Sequence, residues 1–210
     1  MPSGYDRIAG YYDSLARVVF GKSIALAQRH GLPEITPGSH ILIVGGGTGQ
    51  VLEYLAECRL SELKVDYVEA SEAMINSAKH RTLNNVSVDF IHQPVDQLSQ
   101  KKTYDVIITQ FFLDSFEGSD LENVFSLLHN RLKEGGIWII ADFQIINDWR
   151  KIWQKFLLSI MYLFFTVTVG LKASRLEDFS THFMRLGYHL NTSQSYYASF
   201  IFASTYQKSE

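Results

Sequence analysis

His40-Ile-Leu-Ile-Val44 runs without a break into Gly45-Gly-Gly-Thr-Gly49 and on into Gln50-Val-Leu-Glu-Tyr-Leu-Ala56. The first piece is a short continuous apolar run, the second a glycine loop, and the third has the apolar spacing of a helix, so the stretch reads as strand, loop, helix. Glycine at 45, 47 and 49 permits backbone angles closed to other residues and removes Cβ atoms that would keep a ligand off the chain. The free N–H groups opening the next helix would face an anion. A dinucleotide fingerprint needs glycine at its first, third and sixth positions, and the sixth here is Gln50. The spacing Gly-x-Gly-x-Gly argues for a different ligand and against a nicotinamide oxidoreductase.

Four more apolar runs alternate with helix-like stretches: Lys64–Val68, Val86–Ile91, Tyr104–Thr109 and Ile137–Ala141. Such alternation predicts an α/β fold whose parallel strands are covered on both faces, which is why the runs are continuous and not alternating. The pattern changes beyond Ala141. An aromatic-rich stretch leads into a helix signal in which Ser174 and Glu177 stand at capping-box spacing, with Gly187 as its stop. Tyr188–Thr192 and Ser199–Tyr206 then read as a terminal hairpin. The first forty residues look helical, with Pro33 and Pro37 in the loop before the first strand.

Composition bounds the answer. A chain of 210 residues with 46% hydrophobic and 20% charged side chains has material for one domain with a real core. Nineteen Lys and Arg against 22 Asp and Glu, with no cationic run beyond Lys101-Lys102, give no footprint for nucleic acid. The single cysteine, Cys58, forbids an internal disulfide and suits a reducing compartment, the cytoplasm. The seven histidines form no metal-binding spacing, and the first twelve residues lack the layout of a secretory signal.

The glycine loop, with its surroundings, resembles motif I of the class I S-adenosylmethionine-dependent methyltransferases. Four further segments resemble that family's later motifs in the right order. Val68-Glu-Ala-Ser-Glu-Ala-Met74 carries an acid, Glu69, at the end of the second strand. Phe90-Ile-His-Gln-Pro-Val-Asp96 is similar to the adenine segment, and Tyr104 to Asp114 to the fourth strand and its loop. Leu132-Lys-Glu-Gly-Gly-Ile137 is similar to the turn before the fifth strand. The resemblance implies a Rossmann-like, seven-stranded, mostly parallel sheet with an antiparallel last strand and helices on both faces. It implies S-adenosylmethionine as cofactor and S-adenosylhomocysteine as product.

The cofactor-binding residues it implies are Gly45, Gly46, Gly47, Thr48 and Gly49 of the loop; Glu69, Ala70, Ser71 and Met74 after the second strand; Pro94 and Val95 at the adenine; and Gln110 and Phe111 after the fourth strand. Glu69 would receive both ribose hydroxyls in a fork of charge-assisted hydrogen bonds, although Ser71 and Glu72 also suit a plain helix cap. Two positions depart from the family pattern: Ile43 stands where an acid usually precedes the loop, and Pro94 where an Asp often meets the adenine. The opening segment, Tyr5-Asp-Arg-Ile-Ala-Gly-Tyr-Tyr-Asp13, resembles that of the ubiquinone and menaquinone biosynthesis methyltransferases, which implies a helical lid over 1–35 with Tyr5 and Tyr12 near the sulfonium. The methyltransferase domain would then cover 36–210, with an aromatic cap inserted at about 144–173.

Asp114 is the candidate substrate contact or base, because ligands meet at the carboxyl ends of parallel strands, and the same aspartate could simply cap the helix before Ser115. The segment Trp149–Leu171 contains 16 uncharged residues, Phe156 to Leu171, about 24 Å as a helix and short for a ~30 Å bilayer core. Its apolar sides call for cover by the domain, a second subunit as in a homodimer, a peripheral membrane contact or an apolar substrate. The expected activity is methyl transfer to a small apolar or amphipathic acceptor. A non-catalytic cofactor-binding module and a spermidine synthase-like aminopropyltransferase are the alternatives, and a polyamine would need an acidic pocket where Thr109 to Leu113 offers Gln and Phe.

Overall fold

The five apolar runs pair side by side in one sheet, seen in a computed structural model that describes residues 12–83, 86–98, 102–169, 173 and 176–210. The strands are β1 (His40–Val44), β2 (Leu63–Glu69), β3 (Val86–His92), β4 (Tyr104–Gln110), β5 (Leu132–Phe143), β6 (Tyr188–Tyr196) and β7 (Ile201–Lys208). Their order is β3-β2-β1-β4-β5-β7-β6. Pairings from β3 to β5 are parallel, and β7 runs antiparallel to both β5 and β6. The last strand in sequence is thus the antiparallel one, as expected.

Strand β1 shows why its run is unbroken. Leu42 and Val44 face one core cluster while Ile41 and Ile43 face another on the opposite side. All four are buried, and each contributes on the order of 1.5–3 kcal/mol by leaving water. Ile43 therefore fills the core where the family usually has an acid, and a carboxylate there would be charged and enclosed.

The helices are α1 (Tyr12–Phe20), α2 (Ser23–Arg29), α3 (Gln50–Glu57), α4 (Glu72–Lys79), α5 (Gly118–His129), α6 (Lys151–Val169) and α7 (Phe179–Arg185). A third core cluster joins Phe20 of α1, Ala27 of α2 and Leu158 and Tyr162 of α6 to Ala141, Phe143, Phe200 and Ile201 of the β5–β7 end. Aromatic rings dominate it: Phe20, Tyr197, Phe200 and Trp153 meet at centroid separations of 5.2 to 6.4 Å, the range in which ring pairs attract.

Two expected boundaries move. The turn expected at Leu132–Ile137 lies inside β5, where the register with β4 breaks between Tyr104 and Val106 and Gly135 adopts φ +70°; the chain bulges instead of stopping. The last helix is capped by Asp178, whose carboxylate accepts from Ser180 N at 3.0 Å. Glu177 is diverted to accept from Gly118 N at 2.7 Å, and Ser174 lies outside the described residues.

Candidate functional site

The loops leaving β1, β2, β3 and β4 open on the same edge of the sheet, at the carboxyl ends of its parallel strands. They border a cleft of about 690 Å³, a volume typical of small-molecule sites. Gly45, Gly46, Gly47, Thr48, Glu69, Ala70, Met74, Pro94, Val95, Gln110 and Phe111 all line it. So do residues the sequence reading did not single out, of which Gln28, Asp96, Ser115 and Phe116 matter below.

The glycine loop serves two purposes that the sequence alone could not separate. A Cβ on Gly45 would stand 2.2 Å from the Phe112 ring, and one on Gly46 2.3 Å from the Tyr67 ring. Those glycines, like Gly49 against Ala78, admit the protein's own side chains. Gly47 differs: its φ is +61°, and a Cβ there would meet nothing within 4 Å. The concave, side-chain-free face that a ligand needs is therefore at Gly47.

Glu69 is oriented by the backbone around it. Its Oε2 accepts from Gly47 N at 3.0 Å and its Oε1 from Ser71 N at 2.9 Å. Those two bonds fix the plane of the carboxylate at the end of β2, where it borders the cleft. Ser71 itself is fully buried and caps α4 by accepting from Met74 N at 3.2 Å. It and Gly49 stand behind the cleft, outside its lining. Acid and cap thus coexist on neighbouring residues.

At the far side of the loop a polar mismatch appears. Gln110 ends β4, is 8% exposed, and donates through Nε2 to the Gln28 carbonyl at 2.8 Å, tying α2 to the sheet. Among the described residues its Oε1 has no partner, and neither has Gln28 Oε1. Both residues border the cleft. A buried acceptor without a donor costs about 1–3 kcal/mol, so two in one wall are a request for N–H or O–H groups from a ligand. Gln28 lies on a helix far from any glycine motif, and nothing in its sequence surroundings marks it.

Asp114 is not part of the cleft lining. Its neighbours Phe112, Ser115 and Phe116 are, while Asp114 lies behind them in the short turn Leu113–Ser115, under α6, where its carbonyl accepts from Tyr162 Oη at 3.4 Å. The buried Asp142 of β5 holds that turn, accepting from Leu113 N at 3.1 Å and Asp114 N at 3.3 Å. Burial pushes the Asp114 carboxyl up to about 6. Burial and the Asp114 charge together push Asp142 well above the usual carboxylate range. Tyr12 begins α1, and Tyr5 lies outside the described residues.

These features fit the implied cofactor: an oriented acid at β2, an open glycine face at β1 and unpaired acceptors at β4, laid in sequence across the strand ends. Comparison with known proteins agrees. Residues 41–136 match the family model of a methyltransferase domain. The chain is 26% identical over 152 residues to the ubiquinone/menaquinone biosynthesis C-methyltransferase of Hydrogenovibrio crunogenus, covering 69% of this chain and 58% of that protein. It is 29% identical over 139 residues to malonyl-[acyl-carrier protein] O-methyltransferase 1 of Ilyobacter polytropus, covering 63% and 47%. The chain thus spans about half the length of these curated relatives. The N-methyltransferase NodS of Bradyrhizobium japonicum, solved with S-adenosyl-L-homocysteine, superposes with a TM-score of 0.68 over 98% of this chain and 97% of NodS, at 14% identity; that likeness speaks to the fold.

Proposed function

We propose that this chain, which carries a methyltransferase-domain match over residues 41–136, is a class I S-adenosylmethionine-dependent methyltransferase that transfers a methyl group to a small apolar or amphipathic acceptor. The observation that carries the reading is the alignment of Glu69, Gly47 and the unpaired oxygens of Gln110 and Gln28 along one cleft. Bound there, S-adenosylmethionine supplies a methyl group already activated by positive sulfur. The chain's own task is to orient, to exclude water and to receive a proton.

In this reading Glu69 takes the ribose hydroxyls, and Pro94 and Val95 flank the adenine, with Asp96 as the acid left to meet its amino group. Gln28 and Gln110 accept from the ammonium of the methionine end. Phe111, Phe112 and Phe116 form an apolar wall toward the acceptor. Asp114, whose turn lies directly behind that wall, is read as a positioning residue for Phe112 and Phe116 and not as the base, since a base has to reach the proton it takes and Asp114 does not border the cleft. The segment 1–35 acts as a lid and 144–173 as a cap. The names of the relatives span carbon, oxygen and nitrogen acceptors, so the acceptor atom is decided by cap and wall, not by the cofactor half.

The test is transfer of isotope-labelled methyl from S-adenosylmethionine to a panel of phenols, quinols and acyl carriers. Product with an apolar acceptor, and a KM for S-adenosylmethionine raised about a hundredfold in Glu69→Ala, is the expected result. Cofactor binding without transfer to any acceptor would make the chain a binding module.

A further inference from the structure

Helix α6 has two unlike faces. One is pinned to the domain: the buried Gln154 accepts from Ile146 N at 3.0 Å and donates to the Ala198 carbonyl at 3.2 Å, and Leu158 and Tyr162 enter the third core cluster. The other carries Ile152, Phe156, Ile160, Leu163 and Val167, three or four residues apart and preceded by Trp149, all between 49% and 81% exposed. That spacing makes one continuous stripe along the helix, and a stripe of large apolar side chains facing water marks a surface with a partner.

The charge around the stripe identifies the partner. From Trp149 to Leu176 the chain has five cationic residues, Arg150, Lys151, Lys155, Lys172 and Arg175, and even with Arg150 paired to the flanking Asp148 at 2.7 Å and Glu177 just beyond, the stretch stays positive although the whole chain carries a net −3. Lys155 is exposed beside the stripe and has no ion pair among the described residues. Trp149 at the edge, Phe, Ile and Leu inward and lysine alongside is the composition of a helix lying in a lipid interface. A second copy docked on the stripe would bring two segments of the same positive sign together. No helix among the described residues is long and apolar enough to cross a membrane.

We propose that this face of α6 rests on an anionic lipid surface, with the stripe at the headgroup–acyl boundary and Lys151 and Lys155 against phosphates. The inner face of the same helix enters the core cluster against which Phe111, a residue bordering the cleft, also packs, so a protein seated this way holds its acceptor end near the lipid. The proposal rests on the helix surface and not on methyl transfer, and it is tested on the protein without cofactor.

The experiment is co-sedimentation of the purified chain with vesicles of phosphatidylcholine alone and of phosphatidylcholine with an equal part of phosphatidylglycerol. Emission of Trp149 is followed alongside, with Trp149→Phe as its control. Wild type is expected to pellet with the phosphatidylglycerol vesicles and to shift its emission to the blue. Ile160→Glu and Leu163→Glu should each partition about tenfold less, and Lys155→Glu should lose most of the phosphatidylglycerol dependence. The variants should melt like wild type, since these side chains are exposed. Wild type left in solution with both vesicles, stripe variants that pellet as well as wild type, or a dimer that Ile160→Glu splits would each overturn the proposal.

Discussion

The two ends of the same parallel sheet treat their polar groups in opposite ways. At the amino end Asp66 is buried but fully served: Lys102 donates at 2.9 Å, Tyr104 Oη at 2.8 Å, and His40 Nε2 stands at 3.4 Å. Burial alone would raise its carboxyl, yet the hydrogen bonds from Lys102, Tyr104 and His40 outweigh it and hold the group below the usual range. At the carboxyl end Gln28 and Gln110 keep oxygens without a partner among the described residues, and Asp114 and Asp142 are both pushed upward. The two glutamine oxygens border the cleft and await a ligand, while Asp142, like Asp66, completes the fold by holding the turn behind the cleft.

Breaking the carboxyl end has the largest expected consequence. Glu69→Ala removes two charge-assisted contacts at about 1.5 kcal/mol each, so affinity for S-adenosylmethionine falls about a hundredfold, read by calorimetry. The matching lesion at the amino end, Asp66→Asn, costs about 2 kcal/mol in denaturant unfolding and leaves cofactor affinity unchanged. The Asp66 contribution is present at neutral pH and fades as pH falls through its lowered value.

The acid pair at the carboxyl end has the reverse sign. Asp114 and Asp142 bind their protons more tightly folded than unfolded, so stability drops as pH climbs from about 4, the usual aspartate value, through the value of about 6 for Asp114. Melting temperature should decline across that interval in wild type, and Asp114→Asn should flatten the decline. The smallest effect sharpens the comparison most. Gln28→Leu removes an orphaned acceptor, so the ligand-free protein should gain about 1 kcal/mol while S-adenosylmethionine binds several-fold more weakly. A loss of stability in that variant would mean that the oxygen is partnered after all.

Much of this was legible because it depends on local sequence. Continuous apolar runs gave the parallel strands, and the family resemblance pointed to the glycine loop, Glu69, Pro94-Val95 and Gln110, four segments that border the cleft. What escaped is carried by contacts distant in sequence. That Gly45 and Gly46 make room for Phe112 and Tyr67 while only Gly47 faces open space depends on strands brought together by folding. Gln28 enters the cleft because Gln110, 82 positions later, fastens its helix. Asp114 reads as a residue at the mouth of the site, yet the hold of Asp142 on its turn sets it behind the Phe112–Phe116 wall. The exposed half of α6 looked in sequence like core as readily as surface, since periodicity does not say which of two apolar faces is covered.

The most direct test is a calorimetric titration of S-adenosylmethionine into wild type, Glu69→Ala and Asp66→Asn, each shown to be folded. The account predicts equal binding by wild type and Asp66→Asn and a loss of about a hundredfold in Glu69→Ala. Undiminished binding by Glu69→Ala, or an equal loss in Asp66→Asn, would contradict the claim that the cofactor lies across the carboxyl ends of β2, β1 and β4.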